Sequence, residues 1–336
     1  MEICLGIEST AHTFGVSIIK GRTILSNIKK SFTTKSGGMV PFEVATHHVD
    51  NCDGIIKEAL SVAGVSAKDL TLIAFSQSPG LGPMLRVGAM CARSLSQFLN
   101  IPLVGVNHCI AHLEIGRLLT SAKDPILLYA SGANTQVIAF EGGKYRVFGE
   151  TLDIGIGNFL DQFARYVGLG FPGGPKIGML AKEYKDTCLK ENKEVEYIKL
   201  PYSVKGMDMS FGGMLTFLKK KFDEGESLSK LCFSLEETAY AMLCEVSERA
   251  LAHCDKKELL LGGGVACASR LQDMAKKMCQ DRDASCYILE NQFNVDNAAM
   301  IAWLGILEFT SGYKTFLEQS AIDPYLRTDD VDVFWR

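Results

Sequence analysis

Two histidines spaced four residues apart are the first candidates for chemistry in this sequence. His108 and His112 lie in the segment Asn-His-Cys-Ile-Ala-His, and the apolar residues that follow it recur with helical spacing. A spacing of four places both imidazole rings on one face of a helix, one turn apart, where each ring can offer a nitrogen lone pair to a metal ion. Two unrelated core histidines would give the same pattern, so a metal site requires a carboxylate or phenol from elsewhere in the chain.

Asp296, far along the chain, is a carboxylate that could complete such a site. It precedes a predicted helix over residues 297–309, where an acidic residue most often caps the helix and could instead bind the metal. Two other segments are typical of nucleotide sites. Three glycines follow the predicted strand 259–261 and open a helix, and the N–H groups of a polar turn at Ser9 and Thr10 could hold a phosphate. An ordinary hairpin turn is the alternative at Ser9 and Thr10.

The elements that must position these residues alternate between strands and helices, which indicates an α/β fold. Strands are predicted over residues 3–8, 14–19, 23–32, 72–75, 103–106, 126–130, 136–140, 145–149, 259–261 and 287–289. The order strand, Ser/Thr-rich turn, strand, tight turn, strand begins at residue 3 and returns at residue 126, which indicates an internal duplication. Two such halves that face each other form a cleft with a polar turn on each wall, as in the actin, sugar-kinase and Hsp70-like proteins.

The helix predictions depend on apolar periodicity and on helix-start signals. Helices are predicted over residues 49–63 and 153–166, the second bearing Asp161, and a capping box at 234–237 predicts the start of another. The segment 168–175 matches Gly-x-Gly-x-x-Gly by letter. Because it follows a helix and contains prolines, a dinucleotide-binding turn is rejected there.

Composition and charge exclude several classes of protein. The chain has 336 residues, of which 47% are hydrophobic and 22% are charged, as in a globular protein large enough for two domains. We find no apolar run long enough to cross a bilayer, and the eleven cysteines have no Cys-x-x-Cys spacing, so we expect reduced thiols in a cytoplasmic protein. The net charge of −4 gives no general basic field, so contact with RNA requires a local patch or a partner chain.

Five motifs, in their order along the chain, carry a resemblance to a known family. They are Asn-His-Cys-Ile-Ala-His at 107–112, Tyr-Ala-Ser-Gly-Ala-Asn-Thr-Gln-Val at 129–137, Pro-Gly-Gly-Pro at 172–175, Met-Asp-Met-Ser-Phe at 207–211 and Gly-Gly-Gly-Val-Ala at 262–266. Together they resemble the tRNA threonylcarbamoyladenosine transferase family, and more closely its archaeal and eukaryotic branch, the catalytic subunits of the KEOPS complex. Members of this family once carried the name O-sialoglycoprotein endopeptidase.

The resemblance implies a fold, a reaction and partners. The fold is the duplicated α/β fold of the actin-like, sugar-kinase and Hsp70-type (ASKHA) proteins, with a nucleotide and metal cleft between two lobes. One lobe comprises residues 1–124 and 301–336, and the other comprises 125–300. The reaction transfers the threonylcarbamoyl group of threonylcarbamoyl-AMP to the adenosine 3′ of a tRNA anticodon. The partners are tRNA, a small protein kinase and two small accessory subunits, with no membrane.

The resemblance also implies the site residues. By matching position, the family's metal ligands become His108, His112 and Asp296, with Tyr129 as a fourth contact. The metal is one divalent ion, iron or zinc, since imidazole, carboxylate and phenol suit both, with magnesium beside the nucleotide as an alternative. Contacts to the adenine nucleotide or threonylcarbamoyl-AMP are expected at Tyr129, Ala130, Ser131, Gly132, Ala133, Asp161, Gly174, Gly178 and Ala268.

Three positions in the nucleotide region depart from the family pattern. Ala133 replaces a glycine of the donor loop, Gly178 replaces a glutamate and Ala268 replaces an asparagine. These departures keep open the alternative of a nucleotide-binding scaffold with weakened catalysis, and they predict that Gly178→Glu with Ala268→Asn tightens ATP binding. A zinc protease is a further alternative, but it needs a glutamate directly after the first histidine, where this chain has Cys109, with Glu114 beyond the second.

Overall fold

The structure is a computed structural model that describes residues 1–34 and 39–336. The strands are β1 (Ile3–Glu8), β2 (Thr13–Lys20), β3 (Thr23–Ser31), β4 (Leu72–Ser78), β5 (Leu103–Asn107), β6 (Ile126–Ala130), β7 (Thr135–Glu141), β8 (Lys144–Glu150), β9 (Val204–Lys205), β10 (Asp208–Met209), β11 (Glu258–Gly262) and β12 (Ser285–Ile288). The helices are α1 (Pro41–Ala63), α2 (Gly82–Leu99), α3 (His108–Leu119), α4 (Ile156–Tyr166), α5 (Gly174–Lys190), α6 (Gly212–Asp223), α7 (Leu228–His253), α8 (Ser269–Asp281), α9 (Asn291–Asn294) and α10 (Ala298–Thr310).

Two five-stranded sheets of the described chain share one topology. The first has the strand order β3-β2-β1-β4-β5, and the second, read in the same direction, has the order β8-β7-β6-β11-β12. In each sheet the three strands of the opening meander pair antiparallel. A fourth strand pairs parallel with the first strand of the meander, and a fifth pairs parallel with the fourth. The predicted internal duplication is therefore confirmed by strand order and direction.

Three apolar clusters place the helices around the sheets. One cluster joins the first sheet to α1 and α2, and another joins the second sheet to α4, α5, α6, α7 and α8. The middle cluster contains residues of both sheets together with α3 and α10, so these two helices lie between the sheets. Gly6 of β1 allows α10 to approach closely, because a Cβ there would lie 2.6 Å from the Ala298 carbonyl oxygen.

Two helix starts differ from the sequence predictions. Helix α1 begins at Pro41 rather than at residue 49. Its first turns bury Val44 and His48 but leave Phe42 and Val49 exposed, so their apolar pattern is too sparse to predict a helix. The capping box predicted at 234–237 is wrong, since Ser234 lies inside α7. Its hydroxyl donates to the Lys230 carbonyl and accepts from the Ile198 N–H, so it serves packing instead of a helix start.

Other boundaries shift in the second half of the chain. Helix α4 begins at Ile156 rather than at 153, and β12 ends at Ile288 rather than at 289. The glycines after β11 lead into a short 3₁₀ turn, Gly264–Cys267, and α8 follows only at Ser269. Among the described residues, no helix combines the length and apolarity that a membrane crossing demands. All eleven cysteines are free thiols.

Candidate metal and nucleotide site

The two histidines of the Asn-His-Cys-Ile-Ala-His motif begin helix α3 directly after β5. The side chain of Asn107 caps the helix by accepting hydrogen bonds from the N–H groups of Cys109 (3.0 Å) and Ile110 (3.2 Å). This cap fixes His108 at the first helical position and His112 one turn later. Their rings meet edge to face with centroids 4.8 Å apart, and both side chains are buried.

Asp296 reaches the two histidines from the loop before α10. The sequence left open whether this carboxylate caps the helix, and it does not: Asn297 is the cap, accepting from the Met300 N–H at 3.1 Å. Oδ1 of Asp296 lies 3.4 Å from Nε2 of His108 and 3.6 Å from Nε2 of His112. One donor atom from each residue of this triad falls within 4.8 Å of the others.

Tyr129, the residue matched as a fourth contact, lies at the end of β6 in the second sheet. Its hydroxyl is 3.0 Å from Nε2 of His108, and its ring centroid is 4.9 Å from that of His112. The phenol is 2% exposed, and burial raises its pKa, so it is a neutral phenol at physiological pH. The first sheet supplies the histidines and the second sheet supplies this phenol, so the cluster joins the two duplicated halves.

Glu8, at the end of β1, contacts the ring nitrogen of His108 that faces away from Asp296. The sequence analysis did not identify this residue. Oε2 of Glu8 lies 3.0 Å from Nδ1 of His108, and Glu8 is completely buried. A carboxylate accepts the Nδ1–H proton, which leaves the Nε2 lone pair directed at Asp296 and Tyr129. The available signal was a charged residue that ends an otherwise apolar strand directly before a polar turn.

The expected phosphate turn at Ser9 and Thr10 serves this same histidine. The N–H of Ser9 donates to Ser76 Oγ at 3.0 Å, and the N–H of Thr10 donates to Glu8 Oε1 at 2.7 Å. The Thr10 hydroxyl also donates to Glu8, and it lies 3.3 Å from Nδ1 of His108. Both N–H groups are thus engaged within the protein and Thr10 supports Glu8 and His108, while a phosphate contact at Ser9 and Thr10 stays a prediction.

The charges in the cluster are arranged as in a cation site. Burial raises the pKa of the Asp296 carboxyl, but the two imidazoles outweigh burial and hold that pKa well below its ordinary value. Burial lowers the pKa of His112, so this ring is neutral. Burial also lowers the pKa of His108, but Tyr129, Glu8 and Asp296 outweigh it and raise the net pKa well above its ordinary value. The carboxylates of Glu8 and Asp296 therefore favour a positive charge at this point of the cluster.

The donor atoms pass a test of fit to a divalent metal ion. Both ring nitrogens of His112 are buried without a hydrogen-bond partner among the residues that the structure describes, and the 3.6 Å to Asp296 is too long for a hydrogen bond. Two donor atoms that each lie about 2.1 Å from one tetrahedral metal ion are about 3.4 Å apart. The 3.4 Å and 3.6 Å spacings from Asp296 to the two histidines match that separation, and the three donor atoms lie within 4.8 Å of one another, so the donor set suits one ion with Asp296 between the histidines.

The loop matched as the donor loop folds into a tight turn after β6. Ser131 Oγ donates to the Asn134 carbonyl at 2.9 Å, and the carbonyls of Ser131 and Gly132 accept from the start of α4. Gly263, with φ of +92°, packs directly on this loop, since a Cβ there would lie 2.6 Å from the carbonyl carbon of Ala130. Gly132 and Ala133 remain exposed at the tip of the turn.

Asp161 and Gly174 are joined through the cis-proline loop that precedes α5. Asp161 Oδ1 accepts from the Gly173 N–H at 2.7 Å, and burial raises the pKa of the carboxyl despite this bond. Phe171 of the same loop contacts the ring of His12, with centroids 5.9 Å apart, so the loop reaches across to the first half of the chain. The turn before α5 therefore lies at the junction of the two halves.

The last two matched positions are Gly178, which borders a buried glutamate, and Ala268, which precedes α8. A Cβ on Gly178 would lie 3.2 Å from Oε1 of Glu236 on α7. The position where the family has a glutamate and this chain has Gly178 therefore lies beside another carboxylate, that of Glu236. Ala268 is the N-cap of α8 and makes no side-chain cap, so Ala268→Asn would strengthen the helix independently of any ligand.

Comparisons with known proteins identify the family of this chain. Residues 23–303 match the TsaD family model, described as tRNA N6-adenosine threonylcarbamoyltransferase. The protein of that name from Thermococcus kodakarensis is 50% identical over 334 residues, which cover 99% of each chain. A probable bifunctional tRNA threonylcarbamoyladenosine biosynthesis protein from Methanothermobacter thermautotrophicus is 51% identical over 99% of this chain, which spans only 61% of that relative.

One solved structure gives the fold independently of close sequence similarity. HypF from Thermococcus kodakarensis superposes with a TM-score of 0.61 at 13% identity, over 91% of this chain and 47% of HypF. Together with the repeated sheet order, this likeness identifies the fold as the duplicated ASKHA type. The sequence relatives assign the activity class, and the chain belongs to the TsaD family of transferases, the tRNA N6-adenosine threonylcarbamoyltransferases.

Proposed function

We propose that the chain transfers threonylcarbamoyl from threonylcarbamoyl-AMP to the adenosine 3′ of a tRNA anticodon, using one divalent metal ion. The observation that carries the proposal is the convergence of Nε2 of His108, Nε2 of His112 and Oδ1 of Asp296, with the His112 ring otherwise unpartnered. In the reaction, adenosine N6 bonds to the carbamoyl carbon, and the bond from that carbon to the AMP oxygen breaks.

The chain's own residues would divide the work as follows. His108, His112 and Asp296 hold the ion, with Tyr129 beside them, and a divalent ion there supplies a Lewis acid next to the carbonyl or phosphate oxygens of the donor. The exposed backbone of the turn at 131–133 binds the donor. The ligand set suits iron or zinc, and magnesium would accompany the nucleotide phosphates.

The two alternatives have different support. A zinc protease needs a free general-base glutamate, and Glu114 is engaged: its carboxylate accepts from Tyr145, from Arg117 at 2.8 Å and from Trp335 at 2.9 Å. A nucleotide-binding scaffold with weakened catalysis retains the metal triad and differs only in turnover. It is kept as the alternative that the assay below must separate.

The proposal extends to assembly and location. The chain would act in the cytoplasm as the catalytic subunit of a KEOPS complex, beside a small protein kinase and two small accessory subunits. Its net charge of −4 supports a need for partners in binding tRNA. Its lobes would comprise residues 1–124 with 301–336, and 125–300, and the packing of α10 on β1, β2 and β4 supports the return of the chain to the first lobe.

The transfer assay tests the proposed function. Unmodified tRNA is incubated with the chain, its partners, the donor synthase, ATP, bicarbonate and labelled threonine. We expect label on this tRNA and none on a control tRNA that carries guanosine in place of the target adenosine, because guanosine lacks the accepting amine. Nucleotide binding without any label would favour the scaffold, and equal label on both tRNAs would contradict the proposed acceptor.

The support that Glu8 gives to His108 leads to a prediction about metal affinity. Glu8→Gln keeps the shape of the side chain but replaces the charged acceptor of the His108 Nδ1–H. Changes to such supporting groups typically lower metal affinity about 10–100-fold. Competition with a chelator of known affinity measures the effect, and Glu2→Gln in the same strand region, half-buried and remote from the cluster, is the control. Unchanged affinity in Glu8→Gln would show that Glu8 does not orient a ligand.

A further inference from the structure

Glu236 is a buried carboxylate whose presence the protein core does not explain. It is 6% exposed, and it takes part in no ion pair formed among the residues that the structure describes. Oε1 accepts one hydrogen bond, from the hydroxyl of Tyr240 one turn along α7, at 3.2 Å. A buried carboxylate has room for several hydrogen bonds and costs free energy when they are not made.

The charge on Glu236 is costly to the fold. Burial, with a smaller contribution from the charge of Glu237, raises the pKa of Glu236 to about 7, and neither the Tyr240 hydrogen bond nor the Arg270 charge restores its ordinary value. The nearby guanidinium of Arg270 is already committed to Glu237, with two bonds of 2.6 Å. A glutamine would keep the hydrogen bond without this cost, so packing alone does not account for a carboxyl group here.

The position of Glu236 explains what its carboxylate can reach. Helix α7 packs on both α5 and α8, and Glu236 lies on the side of α7 that meets Gly178 of α5. On the α5 side, its Oε1 lies 3.2 Å from the position that a Cβ on Gly178 would occupy, so the glycine places no side chain against the carboxylate. On the α8 side, its neighbour Glu237 binds Arg270, two residues beyond Ala268. The matched nucleotide position 178, which carries no polar side chain, thus borders this carboxylate.

We infer that Glu236 contacts the donor nucleotide and supplies from α7 the carboxylate that position 178 lacks. This inference rests on the proposed function, which places an adenine nucleotide in the cleft. A carboxylate only accepts hydrogen bonds and repels phosphates, so it faces the adenosine end of the ligand. The donors on that end are the ribose hydroxyls and the exocyclic amine of adenine. The absence of a side chain at 178 leaves space for either group.

The inference changes what restoring the family residue should do. Gly178→Glu alone would place a second carboxylate against the first, and like charges at contact oppose each other. The ATP affinity of the Gly178→Glu variant is expected to recover only when Glu236 is replaced by the neutral glutamine in the same chain. Gly178→Glu is therefore unfavourable in the wild-type background and favourable in the Glu236→Gln background, which is a reversal of sign that independent sites do not show.

Calorimetric titration of ATP at fixed metal concentration tests the inference on the full chain. We expect Glu236→Gln to weaken binding by roughly 5–20-fold, since a charged acceptor is replaced by a neutral one. Gly178→Glu should weaken binding to a similar extent, and the double variant should return to within about threefold of wild type. Glu248→Gln, a half-exposed carboxylate on the same helix that pairs with Arg282, should change nothing.

Two ATP analogues identify the group that Glu236 contacts. If the contact is the ribose, wild type and Glu236→Gln should bind 2′,3′-dideoxy-ATP equally. If the contact is the amine, they should bind purine riboside triphosphate equally. A loss of affinity that persists with both analogues would overturn the inference, because the effect would then act through the fold. A melting curve without ligand supplies the fold control, and Glu236→Gln should melt no lower than wild type.

The outcomes separate this inference from the proposed function. A wild-type chain that binds ATP with the same affinity as Glu236→Gln overturns the role of Glu236 and leaves the nucleotide site standing. The inference is also overturned if the Gly178→Glu/Glu236→Gln variant loses as much ATP binding free energy as the two single variants lose together. A wild-type chain that binds no adenine nucleotide, with metal present, overturns both.

Discussion

A chain that carries His108→Ala and His112→Ala is expected to lose its metal, from about one ion per chain to almost none. The double change removes two of the three donor atoms that converge within 4.8 Å, and one carboxylate alone does not hold a transition metal against buffer. Elemental analysis after gel filtration measures the loss. His253→Ala, an exposed histidine on α7, is the matched control and should keep the ion.

Stability gives an independent measure of the same site. A metal present at about a thousand times its dissociation constant stabilises the folded chain by about 4 kcal/mol. Wild type and His253→Ala should therefore melt higher when metal is added, and the double variant should not respond. Equal metal content in wild type and the double variant, or an equal melting response, would contradict the site.

Gly263→Ala is expected to have the largest effect among single changes in the loops of the cleft. The glycine has φ of +92°, and a Cβ would lie 2.6 Å from the carbonyl carbon of Ala130, so alanine is strained and displaces the donor loop. Strain of this kind costs roughly 1–3 kcal/mol before any displacement is counted. Denaturant unfolding measures the cost, and ATP titration measures the displacement of the loop.

The neighbouring glycine provides a close control for this experiment. A Cβ on Gly264 would meet no atom within 4 Å, and its φ is not in the left-handed region. Gly264→Ala should therefore change the free energy of unfolding by less than about 0.5 kcal/mol, the usual range for an uncrowded substitution. If both variants unfold and bind ATP alike, the contact between Gly263 and Ala130 does not set the shape of the cleft.

The sequence predicted the features that local spacing encodes. A four-residue interval places His108 and His112 on one helix face whatever else surrounds them, and strand periodicity shows the repeat of the meander. The role of Glu8 was not predicted because it depends on His108, one hundred positions away, and the residues around Glu8 do not indicate that contact. The capping-box letters at 234–237 failed because tertiary packing extends α7 through them.

The nucleotide region shows a second limit of sequence reasoning. In the sequence alone, Gly178 indicates only that a carboxylate of the family is missing. Glu236 is one of several charged residues in a long helix and attracts no notice. Only the packing of α5 on α7 brings the two positions together, with 3.2 Å between the Cβ site and the carboxylate oxygen. If Glu236 replaces the carboxylate missing at position 178, as inferred above, the Gly178 substitution resembles a loss of function only when the sequence is considered without the structure.

The most direct test of the account is the rate of threonylcarbamoyl transfer measured against metal content. Wild-type chain is stripped of metal and reconstituted to several levels between zero and one ion per chain, and each preparation is assayed with the same tRNA, donor and partners. The account predicts an initial rate that rises in proportion to bound metal and stays near zero in His108→Ala/His112→Ala at every level. Full-rate transfer by the metal-free chain, or by that double variant, would contradict it.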